Sequence, residues 1–321
     1  GSVTVNADNS GQTVTQGSTS TPDEAPVITQ RGSSAETSNT ITINASENAT
    51  ANVTISDVNI NTSDAAVFTK GKGNVNIELD GTNTLKSSNW HAGLEKNNDG
   101  KLTITDKNEN GKLIATGSRY GAGIGGGNQR NGSNITITGG EITAIGGYNG
   151  AGIGGGNYKD GNDINIAGGK VTATGGDYGA GIGGGNQGNG KNITITGGEV
   201  TAAGGTNGAG IGGGLRKEGE KITVSGDATL KVQGGSGDGW DGAGAGIGNG
   251  GNHNGEFSGS FIPVNAAETE PDTSNLTTGK IEYYAPGADM TKDEPTSTIL
   301  GSGQPASPGE TAAPVEYRMQ T

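Results

Sequence analysis

The side chains best suited to hold a ligand in this chain are aromatic, and they recur at one place in a repeat. Trp90, Tyr120 and Tyr178 each stand two residues before the Ala of an Ala-Gly segment; Tyr148 falls one residue off that position, and Asn149 and Asn207 occupy it in the other units. Rings aligned on one corner could stack on pyranose faces. Strand parity carried back from the Ala sends them inward instead, where they would plug wide corners, and that packing role is the simpler expectation. A second cluster, Asp238-Gly239-Trp240-Asp241, sets a ring between two carboxylates, and Lys159-Asp160-Gly161-Asn162-Asp163 brings two more. Carboxylates with backbone carbonyls suit Ca2+. The candidate metal residues are therefore Asp238, Asp241, Asp160 and Asp163, and the candidate ligand-binding residues are Trp90, Tyr120, Tyr148, Tyr178 and Trp240. Asp and Asn in such turns also bond their own backbone, which needs no metal. Catalysis finds fewer footholds. His91 and His253 lie far apart in the chain and acidic residues rarely fall on neighbouring repeats, whereas cleavage of a polysaccharide needs clustered carboxylates or bases. No catalytic residue is expected, with a polysaccharide lyase or glycosidase as the enzymatic alternative.

These residues are positioned by an internal repeat. Gly-Ala-Gly-Ile-Gly-Gly-Gly begins at Gly121, Gly150, Gly179 and Gly208, each 29 residues after the last, and a fifth, shortened copy begins at Gly244, delayed to 36 residues by an insertion from Gly235 to Gly242 that carries Trp240. Loops added to a regular scaffold tend to carry function. Between copies lie two alternating runs, such as Asn134-Ile-Thr-Ile with Glu141-Ile-Thr-Ala and Asn192-Ile-Thr-Ile with Glu199-Val-Thr-Ala. Equivalent starts precede them at Lys101, Asn74 and Asn52, with Thr40-Ile-Thr-Ile expected to open the first coil. Three strands and three turns per unit make a solenoid. Alternation turns Ile135, Ile137, Ile142, Ala144, Ala122 and Ile124 inward and predicts ladders such as Ile124, Ile153, Ile182, Ile211 and Ile247. It also turns Gly123 and Gly125 outward, which would leave one face as bare backbone.

Composition agrees with a thin stacked core. Of 321 residues 66 are Gly and 28% are hydrophobic, too few for a thick globular interior. A solenoid needs only a few inward side chains per coil, stacked at about 4.8 Å. The net charge of −13 disfavours nucleic acid and anionic membrane surfaces as partners. With no Cys, the chain offers neither disulfides nor thiolate metal sites. No apolar run reaches the roughly 20 residues of a membrane span. Gly1-Ser2 reads as a remnant ahead of a mature fragment. The outward threonines Thr136, Thr194 and Thr223, and Thr143, Thr172 and Thr201, give a remote ice-binding alternative.

From about Thr40 to Gly250 the coils resemble the bacterial carbohydrate-binding β-helix family, right-handed parallel β-helices of secreted and surface proteins in Clostridia-type bacteria. The matching segments include Asn52-Val-Thr-Ile-Ser-Asp-Val-Asn-Ile, Ile77-Glu-Leu-Asp-Gly-Thr-Asn-Thr-Leu, Gly111-Lys-Leu-Ile-Ala-Thr-Gly and the Ile-Thr-Gly-Gly-Glu-Ile-Thr-Ala units. The resemblance implies binding of an acidic plant polysaccharide such as pectin, assisted by Ca2+ and without cleavage. The expectation is thus an all-β, right-handed parallel β-helix of about eight or nine coils. Residues 1–38 form a lead-in or cap, 39–260 the helix, and 261–321 a cap and Pro/Gly-rich linker. Its expected role is a monomeric, secreted or cell-wall-associated binding or adhesion module for polysaccharide or a host or plant glycan. A structural stalk presenting another domain is the rival.

Overall fold

The 29-residue period becomes a stack of triangular turns. A computed structural model describes residues 1–32, 35–254 and 262–303, and every regular element in them is a β-strand. Three sheets of 11, 8 and 9 strands run the length of the stack. The first, here the glycine sheet, takes one strand per turn from the Gly-Ala-Gly-Ile-Gly motif, such as Ile124–Gly125. The second takes the Ile-Thr-Ile runs, such as Ile135–Ile137, and the third takes runs such as Glu141–Ile145. Neighbouring rungs pair in parallel throughout the repeat.

The predicted ladders are the core. Ile124, Ile153, Ile182, Ile211 and Ile247 are successive partners. Leu94, Val67 and Ile41 continue that line backward. Leu102, Ile135, Ile164, Ile193 and Ile222 line the second sheet, and Leu113, Ile142, Val171, Val200 and Leu230 the third. All are buried, and burying each such side chain is worth roughly 1.5–3 kcal/mol. On the solvent face of the third sheet Lys112, Glu141, Lys170 and Glu199 alternate in sign along one column. Lys112 Nζ reaches Glu141 Oε2 at 3.0 Å, a surface pair that fixes register more than it stabilises.

Three expectations change. The complete turns number seven, from Ile41–Thr62 to Ile211–Gln233, rather than eight or nine, because the flanking rungs lack a third strand: at the N-terminal end the third sheet is met by a single bridge at Thr37, and at the other end the second sheet is met only at Asp272 and Leu276. The Thr40-Ile-Thr-Ile run belongs to the glycine sheet, where Ile41 pairs with Val67, and not to the Ile-Thr-Ile column. The glycines are not a bare face. Gly123 and Gly125 are buried, and a Cβ built on Gly123 would lie 2.5 Å from the Ile145 backbone nitrogen, so the end of the third sheet covers it. At Gly125, Gly154, Gly183 and Gly212 φ is 134–136°, and a Cβ would stand 2.0–2.1 Å from the carbonyl oxygen of the next rung.

The ends are closed by the chain itself. Val3–Asp8 pairs with Ile41–Ala45 and carries an antiparallel extension through Gly11–Gln16 and Thr19–Pro22. At the other end the Glu268 carboxylate accepts the Gly246 and Ile247 amides at 2.7 and 2.8 Å. Lys280–Tyr284 adds a parallel strand to the third sheet, with Ser297–Leu300 antiparallel beside it at the edge. Such devices remove open edges. The boundary near residue 260 and the expected linker beyond 303 lie outside the described residues.

One turn buries polar groups. Lys96 is 5% exposed and donates from Nζ to the Asn98 carbonyl at 2.5 Å, while the Thr69 hydroxyl donates to Asn98 Oδ1 at 2.8 Å. Burial pushes the Lys96 ammonium down to about 8, with Asp99 opposing.

Two measurements follow. Gly183→Ala, which combines a left-handed φ with a backbone clash, lowers unfolding free energy by about 3 kcal/mol in urea. Between pH 8 and the ordinary lysine value of 10.5 the unfolded chain holds a Lys96 proton that the folded chain has released, so stability rises with pH. Relative to Lys96→Met, the wild type gains on the order of 2–3 kcal/mol across that window; a flat difference contradicts the buried ammonium.

Candidate functional site

The glycine strand is a tight arch, and its two feet bring the aromatic residues beside a column of asparagines. Within each arch the first foot bonds to the second, as in Ala151 N to the Gly155 carbonyl at 3.0 Å. The residue after the last motif glycine then donates its amide to the foot of the preceding turns. Asn128 N reaches the Trp90 carbonyl at 2.7 Å, Asn157 N that of Tyr120 at 2.9 Å, Asn186 N that of Asn149 at 2.8 Å, and Leu215 N that of Tyr178 at 2.9 Å. The corner is therefore zipped along the stack by backbone bonds.

The aromatic rings lie outside, against the inward expectation. Trp90 and Trp240 are each 63% exposed, Tyr148 is exposed, and Tyr120 and Tyr178 are half-buried. Arg119-Tyr120 and Asp177-Tyr178 are turn residues, so strand parity does not extend to them. The Asn residues at the same position do turn in, Asn149 and Asn207 being buried.

Trp90, Tyr120, Tyr158 and Tyr178 wall a groove of about 550 Å³ whose floor includes Asn157 and Asn186. A second groove of about 320 Å³ continues from it, sharing Tyr178 and Asn186 and reaching Leu215, Trp240 and His253. The sequence-predicted rings thus gather along one corner. Tyr148 backs this wall: its ring meets Tyr178 edge-on at 5.1 Å and 80°, their hydroxyls are 3.2 Å apart, and Arg119 lies over Tyr120 and Tyr148 at 5.7 and 5.5 Å. The hydrogen bond with Tyr148, with burial, pushes the Tyr178 phenol up to about 12, so it is a neutral hydroxyl in any physiological medium.

Four rim residues escaped the sequence reading. Gln129, Tyr158, Gln187 and Arg216 recur at one position, each next to the asparagine column, with φ of 56, 60, 51 and 58°. The same left-handed backbone recurs in a second column at Asn134, Asp163, Asn192 and Lys221, outside the groove lining, so it is turn geometry of the coil. No sequence signal distinguishes that position, because Gln, Tyr and Arg have no turn propensity of their own.

The insertion is held by a charge cluster. Arg216 donates from Nε and Nη2 to the two Asp241 carboxylate oxygens at 2.8 and 2.7 Å, and His253 Nδ1 lies 2.8 Å from Asp241 Oδ1. Burial pushes the Asp241 carboxyl up, but these partners outweigh it and hold it below the ordinary carboxylate value. Beneath, Asn207 Nδ2 donates to the Asp241 and Gly242 carbonyls at 3.1 and 3.2 Å.

The proposed metal residues have other partners. Asp238 Oδ1 accepts the Trp240 and Asp241 amides at 2.8 and 2.7 Å, ordinary turn bonding, and Asp241 is occupied as described. Asp160 Oδ1 accepts the Asn189 amide at 2.7 Å and Asp163 Oδ1 accepts from Asn192 Nδ2 at 3.0 Å, so both clasp the next rung. Among the described residues no three His, Asp or Glu side chains gather closely enough to hold a metal ion. These carboxylates do not fit the Ca2+ site that the resemblance implies.

The beta helix repeat family matches residues 109–128, 135–157, 164–186 and 193–215, and the last three segments end one 29-residue step apart, at 157, 186 and 215. The molecule is a parallel β-helix. The matched segments of this β-helix end on Asn128, Asn157, Asn186 and Leu215, the position of the asparagine column, and they also contain Tyr120, Tyr148 and Tyr178. No curated protein and no solved structure matches the chain.

Asp241→Asn weakens the clamp on the insertion. Limited proteolysis then cuts within 235–242 at least about fivefold faster than in the wild type, with the β-helix melting little changed; equal rates would mean that Arg216 and His253 do not hold the loop.

Proposed function

We propose that this β-helix is a non-catalytic module of a bacterial surface or secreted protein that binds a polysaccharide along its aromatic corner. The observation that carries the reading is the run of Trp90, Tyr120, Tyr178 and Trp240 along one continuous groove over buried amides. Sugar recognition needs flat apolar faces for pyranose rings and fixed hydrogen-bonding groups for hydroxyls. This corner has both, repeated in the direction a polymer would run. Rungs are about 4.8 Å apart, so a groove crossing several of them accommodates several residues of a chain.

Binding rather than turnover is supported by the state of the titratable groups. Asp241 is held by both Arg216 and His253, and Tyr178 keeps its proton. The extracellular bacterial setting rests on the resemblance of the coils.

A glycan array followed by affinity electrophoresis tests the reading. Tyr178→Ala and Trp240→Ala each weaken retention about tenfold without shifting the melting temperature, a loss in the range of one aromatic contact. Unchanged retention in both, or release of reducing or unsaturated ends from the retained polymer, overturns it.

A further inference from the structure

The asparagine column has a direction, and it ends inside the groove. Asn157 Nδ2 donates to Asn128 Oδ1 at 3.3 Å, and Asn186 Nδ2 donates to Asn157 Oδ1 at 3.3 Å and to Asn149 Oδ1 at 3.0 Å. Each amide thus gives its N–H to the preceding rung and offers its oxygen to the following one. The next rung should supply the donor for Asn186 Oδ1, but Leu215 stands there. Asn186 is 7% exposed and its Oδ1 has no partner. A buried acceptor without a donor is destabilising, because its desolvation is not compensated. The orphan at Asn207 differs, since that side chain is sealed at 0% exposure beneath the insertion, whereas Asn186 forms the floor where the two grooves meet.

The charge of the lining narrows the ligand. Among the described residues, none lining the first groove carries a charge. In the second, Arg216 and His253 are both engaged by Asp241, and Asp238 adds a further carboxylate whose charge also acts on Arg216. Arg119 is a nearby cation outside the lining, stacked on Tyr120 and Tyr148. A uronate would therefore enter a site with an anion and no free cation, on a molecule of charge −13. The orphan amide oxygen calls for a hydroxyl donor, which any sugar supplies, and the charge of the lining selects among polymers.

From this we infer that the groove takes an uncharged polysaccharide, one of whose hydroxyls donates to Asn186 Oδ1 between Tyr178 and Trp240. Leu215 moves aside to admit it. The inference rests on the polysaccharide-binding reading above and departs from the acidic polymer that the coil resemblance suggests.

The test uses affinity electrophoresis of the full chain against soluble neutral polymers (a β-glucan, a galactan and a mannan) and against polygalacturonate, at low and high salt, with calcium or with chelator. Retention by a neutral polymer that is insensitive to salt and chelator is expected. Preference for polygalacturonate overturns the inference and leaves the binding reading intact; retention by no polymer overturns both. Two variants at one position then address the contact. Leu215→Asn extends the amide ladder and supplies Asn186 Oδ1 with an internal donor, so it weakens retention about fivefold to tenfold while raising the melting temperature. Leu215→Ala removes the same side chain without supplying a donor and leaves retention within about twofold. Equal retention by both variants overturns the Asn186 contact. Should Leu215→Asn lose its β-sheet circular dichroism, Asn186→Ala decides by the same readout: a loss supports the contact and unchanged retention overturns it.

Discussion

In the glycine sheet the carbonyl oxygen of one rung occupies the volume that a side chain on the neighbouring rung would need. With φ near 135° at Gly125, Gly154, Gly183 and Gly212, and about 2 Å left for a Cβ, no other residue fits without moving backbone. In the turns that carry the glycine motif this side is a two-residue strand. The chain must then leave and re-enter it through sharp loops on both sides. Those loops form the groove, because the only place for them is outside the stack, zipped to one another by their amides. A structural requirement on glycine thereby generates a groove walled by residues that are not glycine.

Much of the fold was legible because its information is periodic. Ile at a fixed step, alternating with Thr or Asn, declares both the strand and the inward face, and the ladders from Ile124 to Ile247 follow without ambiguity. Parity failed where strands stop. Tyr120 and Tyr178 lie in turns, so counting by twos from Ala122 or Ala180 carries no information about them, and Gly123 faces outward by count yet is covered by Ile145 from the adjoining sheet. Thr40-Ile-Thr-Ile had the composition of one column and sits in another, because pairing partners and not composition decide the sheet.

The site was legible as a set of residues and not as an arrangement. The sequence shows rings near one corner and an insertion bearing Trp240. It does not show that Arg216, in one repeat, reaches across to clamp Asp241 of the insertion, or that Gly-Gly-Gly-Asn builds an amide column whose hydrogen bonds all run one way. Those facts depend on which rungs are adjacent and how amides orient between them.

A polymer lying along identical rungs would have no reason to stop at one of them, and such a track would be degenerate under translation. The amide column approaches that limit, while the rings beside it already vary from Trp90 to Tyr120, Asn149 and Tyr178. Leu215 breaks the amide column and the 36-residue spacing breaks the coil at nearly the same height, so the steps there are no longer equivalent. The irregular rung gives the lattice an origin, and a chain threaded along this corner would dwell in one register instead of sliding over all of them.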